Sequence, residues 1–349
     1  MKKIVFTGGG TGGHIFPNIA IINELKNKAK VFYIGSNGME KEIIKKEKIK
    51  FYEIPTCKFK RSFALSNLLI PFTLIKSIKM AKKILKEIKP DAIFSKGGYV
   101  SLPVVFAGKS LKIPVVCHES DLSLGLSNKL CLKKCTKMCT SFKRTADSIG
   151  KKGYYTGSPI RKEILKGNKQ NAIKLFKNFK AKPTILIIGG SLGSKIINEN
   201  IFKIIKKLQN YNVIHLTGKN NINPSLNNLD GYVQLEFSEN IEDLYAVCDI
   251  VISRAGSNVI NEILALKKPN ILIPLSKKAS RGDQILNAKY FEDLGYSYVL
   301  EEENLNSTSL LKAIEYVNKN KEKYISKMKK AENNIANDKI IDLLLNLEK

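Results

Sequence analysis

The chain has 349 residues, 43% of them hydrophobic and 26% charged, a globular balance that excludes intrinsic disorder. No apolar run reaches the ~18 residues of a spanning helix, and the opening MKKIVFTGGG is too short of apolar residues for a secretion leader, which predicts a cytoplasmic chain. With 59 basic and 31 acidic residues the net charge is +28; spread along the whole length, it attracts nucleic acid, anionic lipid or phosphorylated substrates without choosing among them.

In chain order the pattern predicts a strand over 2–6, a helix over 18–28, a strand over 31–34 and a helix over 75–88. Strands follow over 92–94, 115–117 and 184–188, then a helix over 196–208. Strands over 213–216 and 250–252, a helix over 259–266 and a strand over 271–273 complete the series. Such alternation argues for parallel sheets covered by helices on both faces. The halves echo each other: TGGGTGG (Thr7–Gly13) matches GGSLGS (Gly189–Ser194), and DAIFSKGG (Asp91–Gly98) matches DIVISRAG (Asp249–Gly256). The simplest reading is two Rossmann-like doubly wound α/β domains, 1–158 and 159–349, joined near GSPIR (Gly157–Arg161), with the last helix either staying with the second domain or packing back on the first. Two such domains facing each other leave a cleft between the carboxyl ends of their strands, the usual ligand position.

The first glycine loop follows a strand and precedes a helix, so its backbone N–H groups suit an anion. Gly8, Gly10 and Gly13 satisfy the dinucleotide spacing, but the acid expected at the end of the second strand is missing, with no carboxylate before Glu40. His14 closes that loop and is either a general base at a cleft mouth or a structural imidazole. Glu262 lies four residues after Asn258 and either accepts from ribose hydroxyls or is a solvated helix acid. Arg161, and Arg281 near Gln284, suit phosphate. No D-x-D pair occurs, which favours amides, cations and hydroxyls over a metal for holding a diphosphate. Of six cysteines, Cys131, Cys135 and Cys139 are spaced four apart, as a metal-ligand stripe or as buried packing. Between 65 and 88, LLIPF (Leu68–Phe72) and a helix with Ile75, Ile78, Leu85 and Ile88 on one stripe and Lys76, Lys79, Lys83 and Lys86 on another suit an anionic membrane surface or a core-packed helix.

Together, GGTGGHIFP (Gly9–Pro17), KGGYVSLP (Lys96–Pro103), HES (His118–Ser120), GSPIR, GGSLGS, SRAGSNVINE (Ser253–Glu262) and DQILNA (Asp283–Ala288) resemble the MurG family of bacterial N-acetylglucosamine transferases, in family order over nearly the whole length. The resemblance implies a GT-B fold and an inverting transfer of N-acetylglucosamine from UDP-N-acetylglucosamine to lipid I, forming lipid II. It implies neither a cofactor nor a metal. Carried over, Thr11, Gly12 and Gly13 contact the donor side of the cleft, and Arg161 and Ser191 the donor phosphates. Ile241 and Ser257, Asn258, Val259, Ile260, Asn261 and Glu262 flank the uridine, with Glu262 on the ribose, and Gln284 reaches the sugar hydroxyls. His14 is the base for the acceptor hydroxyl. Many members carry Gln-Asn after the His-Glu pair; this chain has Ser120 and Asp121, and Asp121 competes with His14 as base. The expected partners are the two substrates, an anionic membrane surface met peripherally on its cytoplasmic face, and cell-wall and division proteins, with no specific nucleic acid. Another GT-B transferase with a different lipid acceptor, such as diacylglycerol, is the alternative.

Overall fold

Ile4, Val5 and Phe6 alternate between the two faces of a strand, yet all three are fully buried. That is the mark of a parallel strand covered on both sides. A computed structural model describes residues 1–56, 70–190, 192–277, 280–332 and 335–347 of the chain. It divides into two units, Met1–Arg161 with Asn334–Lys349, and Lys162–Asn333.

The first unit runs β1 (Lys2–Thr7), α1 (Gly12–Leu25), β2 (Ala29–Gly35), α2 (Met39–Lys46), β3 (Lys50–Glu53), α3 (Ile70–Ile88), β4 (Ala92–Ser95), α4 (Leu102–Ser110), β5 (Val115–Glu119), α5 (Leu126–Leu132), β6 (Lys137–Thr140), α6 (Lys143–Ile149) and β7 (Gly153–Tyr155). The second runs α7 (Lys169–Ile173), β8 (Thr184–Ile188), α8 (Lys195–Ile204), β9 (Asn212–Leu216), β10 (Tyr232–Leu235), α9 (Ile241–Val247), β11 (Ile250–Ser253), α10 (Ser257–Leu266), β12 (Asn270–Leu272), α11 (Asp283–Asp293), β13 (Tyr298–Val299), α12 (Ser307–Lys319) and α13 (Lys321–Lys329). The chain then returns to the first unit as α14 (Asn337–Asn346).

The sheet orders are β3-β2-β1-β4-β5-β6-β7 and β10-β9-β8-β11-β12-β13, with every pairing parallel. Each is the doubly wound order, and the switch points lie between β1 and β4 and between β8 and β11. β3, β7, β10 and β13, which the hydropathy pattern leaves unpredicted, are the four sheet edges. An edge strand is covered less completely, so Lys50, Glu53 and Gln234 are tolerated there and no continuous apolar run forms.

Two core layers flank the first sheet. Ile4 and Phe6 pack with Ile15, Ile22 and the α14 residues Ile340, Ile341 and Leu344. Val5 and Ile34 pack on the other face with Ala81, Leu85, Val104 and Cys117. The first layer explains why α1 starts at Gly12, six residues before the expected start: Ile15 is already core. His14 therefore sits in the first helical turn. α8 stops at Ile204 and continues as a 3-10 turn, short of the expected Leu208. The predicted apolar stripe of α3 divides. Leu85 and Ile88 are core, whereas Phe72, Ile75 and Met80 are exposed. Leu68 and Leu69 lie outside the described residues, and no described helix is long and apolar enough to cross a membrane.

α14 is fastened by Asn337, which is fully buried. Its Oδ1 accepts from the Ile160 N–H at 3.0 Å, and its Nδ2 donates to the Ile160 carbonyl at 2.8 Å. Asn337→Ala leaves both backbone groups without that partner, at a cost of about 1–3 kcal/mol. Hydrogen exchange should show that loss of protection in β1 and β2 and none in β8 and β11; unchanged protection in β1 refutes the role.

Candidate active site

In the first unit the turns after β1, β4 and β5 converge beside the switch point. Tyr33 donates to the Gly8 carbonyl at 2.6 Å, and Asn18 donates to Tyr33 Oη and the Thr7 carbonyl, fixing the first turn from below. Gly98 has φ +80°, and a β-carbon there would stand 2.6 Å from the Gly9 carbonyl oxygen. Only glycine lets these two turns meet backbone to backbone. Behind them lies Glu40, fully buried, accepting from the Gly10 N–H at 3.2 Å, the Ser36 N–H at 2.9 Å and the Ser36 hydroxyl. An amide that would face a dinucleotide phosphate is thus engaged by the protein's own carboxylate, which argues against the dinucleotide reading of Gly8, Gly10 and Gly13.

Thr11 and Gly13 are exposed and Gly12 is half-buried. The half-buried His14 shares a 3.0 Å Nδ1 hydrogen bond with the Thr11 hydroxyl. Burial first, and then the Lys96 charge, lower its pKa to about 4, against the opposing influence of the Gly9 backbone and Glu40. The imidazole is therefore neutral at physiological pH. After β5, buried Glu119 accepts from the Asp121 N–H, the Gly125 N–H and Asn128, and burial raises its pKa. Asp121 itself is half-buried.

In the second unit, Gly193 has φ +76°, and a β-carbon there would lie 2.0 Å from the Thr217 carbonyl oxygen. Arg254, 9% exposed, braces this turn: it donates to Ser194 Oγ at 2.7 Å and to the Ile273 carbonyl at 3.2 Å, and pairs with Glu302. Asn287 of α11 donates to the Ala255 carbonyl at 3.4 Å, bringing the helix of Gln284 against the turn after β11. Gln284 accepts from the Leu275 N–H at 3.1 Å. Tyr245 donates to Glu262 at 3.3 Å, so this carboxylate is half-buried and oriented rather than freely solvated. Ile241, Asn258, Val259 and Arg161 are half-buried. Ile260 is fully buried, and Asn261, 2% exposed, donates to the Ser257 carbonyl at 2.8 Å. Both side chains face the interior. Ser257 is buried too, Arg281 is paired with Asp283 at 2.7 Å, and Ser191 lies outside the described residues.

Lys96 and Arg254 escaped the sequence reading, although they hold the same place in the echoed motifs SKGG and SRAG. A cation repeated at the end of an apolar strand was the available signal. Cys131 and Cys135 are buried beside Cys117 and Cys139 is buried in β6, which is the packing reading of these cysteines. Among the described residues no His, Cys, Asp and Glu side chains are grouped to hold a metal ion.

The sequence matches the glycosyltransferase family 28 N-terminal domain over residues 4–140 and the family 28 C-terminal domain over residues 184–343. The fold is shared widely. Among solved structures, Acinetobacter baumannii MurG superposes with TM-score 0.78 at 24% identity, covering 99% of this chain and 100% of that one. The UDP-GlcNAc 2-epimerase of Neisseria meningitidis gives 0.66 at 18%, covering 99% of each. Because an epimerase shares the architecture, these likenesses show the GT-B fold and stop there. Sequence goes further. UDP-N-acetylglucosamine–N-acetylmuramyl-(pentapeptide) pyrophosphoryl-undecaprenol N-acetylglucosamine transferases are 52% identical: that of Clostridium perfringens strain 13 over 98% of this chain and 97% of its own, and that of Clostridium botulinum strain Langeland over 95% of each. The chain belongs to this transferase family.

His215 is structural. Fully buried, it bonds Tyr232 Oη at 2.9 Å and Asn198 at 3.0 Å, and burial lowers its pKa to about 3. The unfolded chain takes up this proton near pH 6.5 and the folded chain only near 3. The stability contributed by neutral His215 is complete above pH 6.5 and falls as pH drops toward 3. Urea titrations of wild type and His215→Gln should differ in slope across that window, the variant being flatter; equal slopes remove His215 from the acid response.

Proposed function

We propose that the chain transfers N-acetylglucosamine, with inversion, from UDP-N-acetylglucosamine to lipid I, the undecaprenyl-pyrophosphoryl-N-acetylmuramyl-pentapeptide, giving lipid II for peptidoglycan. The observation that carries this is the 52% identity, over nearly full length, to transferases of that name.

Inversion is one displacement. The acceptor hydroxyl attacks the anomeric carbon, the bond to the UDP oxygen breaks, and the hydroxyl proton passes to a base. His14 is the first candidate, because a neutral imidazole starts in the accepting form. Asp121 is the second. The glycine turn after β8, the amino end of α8 and Ser191 of the donor half, with Arg161 at the end of the first unit, supply positive potential to the diphosphate as it leaves. Arg254 keeps that turn in shape through Ser194. Glu262, oriented by Tyr245, accepts from the ribose hydroxyls, Ile241 and residues 257–261 flank the uracil, and Gln284 reaches the sugar. Thr11, Gly12 and Gly13 form the turn that presents His14.

Labelled N-acetylglucosamine should pass from its UDP donor to lipid I and not to diacylglycerol; transfer to diacylglycerol alone overturns the acceptor assignment. In the same assay Arg161→Ala should lower kcat on the order of 10²–10³-fold. Near wild-type turnover removes Arg161 from the mechanism.

A lipid acceptor requires work at a membrane, on the cytoplasmic face where a UDP-sugar is available. On α3, exposed Phe72, Ile75 and Met80 stand among Lys76, Lys79 and Lys83. Apolar side chains beside lysines enter an anionic headgroup layer, each lysine adding about 1 kcal/mol. Phe72→Ser/Ile75→Ser should float markedly less with anionic vesicles than wild type, and equal flotation refutes this face.

A further inference from the structure

Lys96 is the anomaly of the first unit: a lysine only 1% exposed, among the largest fully buried side chains of the chain. It follows β4 directly. Its N–H donates to the Thr7 carbonyl at 3.0 Å, which seats it beside the end of β1, and its Cβ lies under Gly8. Its Nζ donates to the Ser120 hydroxyl in the turn after β5. One side chain thus joins the three turns that carry His14 and Asp121. Charged and titratable groups face this cluster from every packed element: His14 from α1, Glu40 from α2 behind His14, His118 and Glu119 from β5, and Asp121 from the following turn.

We infer that Lys96 is a positioning residue of the transfer reaction, its buried side chain tying the β4 and β5 turns together through Ser120 and so holding the turns that carry His14 and Asp121. An ammonium beside an imidazole opposes its protonation, and beside a carboxylate it favours ionisation. The same charge therefore keeps the His14 imidazole ready to accept. The carboxylates of Glu119 and Asp121 hold the ammonium charged against burial, which lowers its pKa to about 8. The companion site in the second unit repeats the device: Arg254, at the equivalent place after β11, ties the turns after β8 and β12. The inference rests on the transfer function proposed above for its consequence, though not for its electrostatics.

The test uses the full chain carrying ¹³C-labelled histidine; the sequence has only His14, His118 and His215. In Lys96→Met, the His14 titration midpoint should rise on the order of one pH unit, while His215, in the other unit, stays unmoved. The acid limb of kcat should move up in pH with it, with KM for UDP-N-acetylglucosamine unchanged. Lys96→Arg, which keeps the charge, should hold the acid limb near its wild-type place. The wild-type chain gives a reading that needs no variant: its His14 resonance should inflect a second time near pH 8 as Lys96 deprotonates. A folded Lys96→Met with an unmoved His14 midpoint and acid limb, or a wild-type resonance flat through pH 8, overturns the inference. If wild type transfers no sugar, the proposed function fails, and the resonances still decide on Lys96.

Discussion

The constraint on which the rest depends is backbone-to-backbone contact at the ends of parallel strands. Where the turn after β4 meets the turn after β1, Gly98 and Gly9 leave no room for a side chain; where the turn after β8 meets the end of β9, Gly193 and Thr217 do the same. Such contact brings main-chain N–H groups to the mouth of each sheet at its switch point, where two neighbouring connections run to opposite faces and open a crevice. The glycines are there because the approach is close.

The two crevices are then specialised from beneath. In the first unit Glu40 engages a loop amide from the inside, and Lys96 is the one buried lysine or arginine among the described residues there. In the second unit the buried cation is Arg254, whose planar fork reaches Ser194 and the Ile273 carbonyl together. That arrangement stiffens the turn after β8. A duplicated strand-end position, lysine in one copy and arginine in the other, thus ties neighbouring turns together in both units.

Much of the site was legible because its chemistry is local. Glycine turns after apolar strands, His14 beside one of them and Glu262 one helical turn beyond Asn258 are short-range patterns. The side-chain directions of Ile260 and Asn261 were not legible, because which face of α10 meets the core depends on its neighbours; both side chains are buried. Lys96 and Arg254 were missed for the opposite reason. Lysine and arginine are ordinarily solvent residues, and only packing reveals that these two are interior.

The sequence by itself determined the class of fold, the tandem repeat and the kinship with the transferases, since central strands buried on both faces need unbroken apolar runs and glycine turns need glycine. The tertiary structure decided where the sheets end and where α1 begins, because edge strands and helix starts depend on what covers them. It also decided which charges lie inside. Burial, unlike periodicity, belongs to residues far apart in the chain, as Lys96 with Ser120 and Arg254 with Glu302 demonstrate.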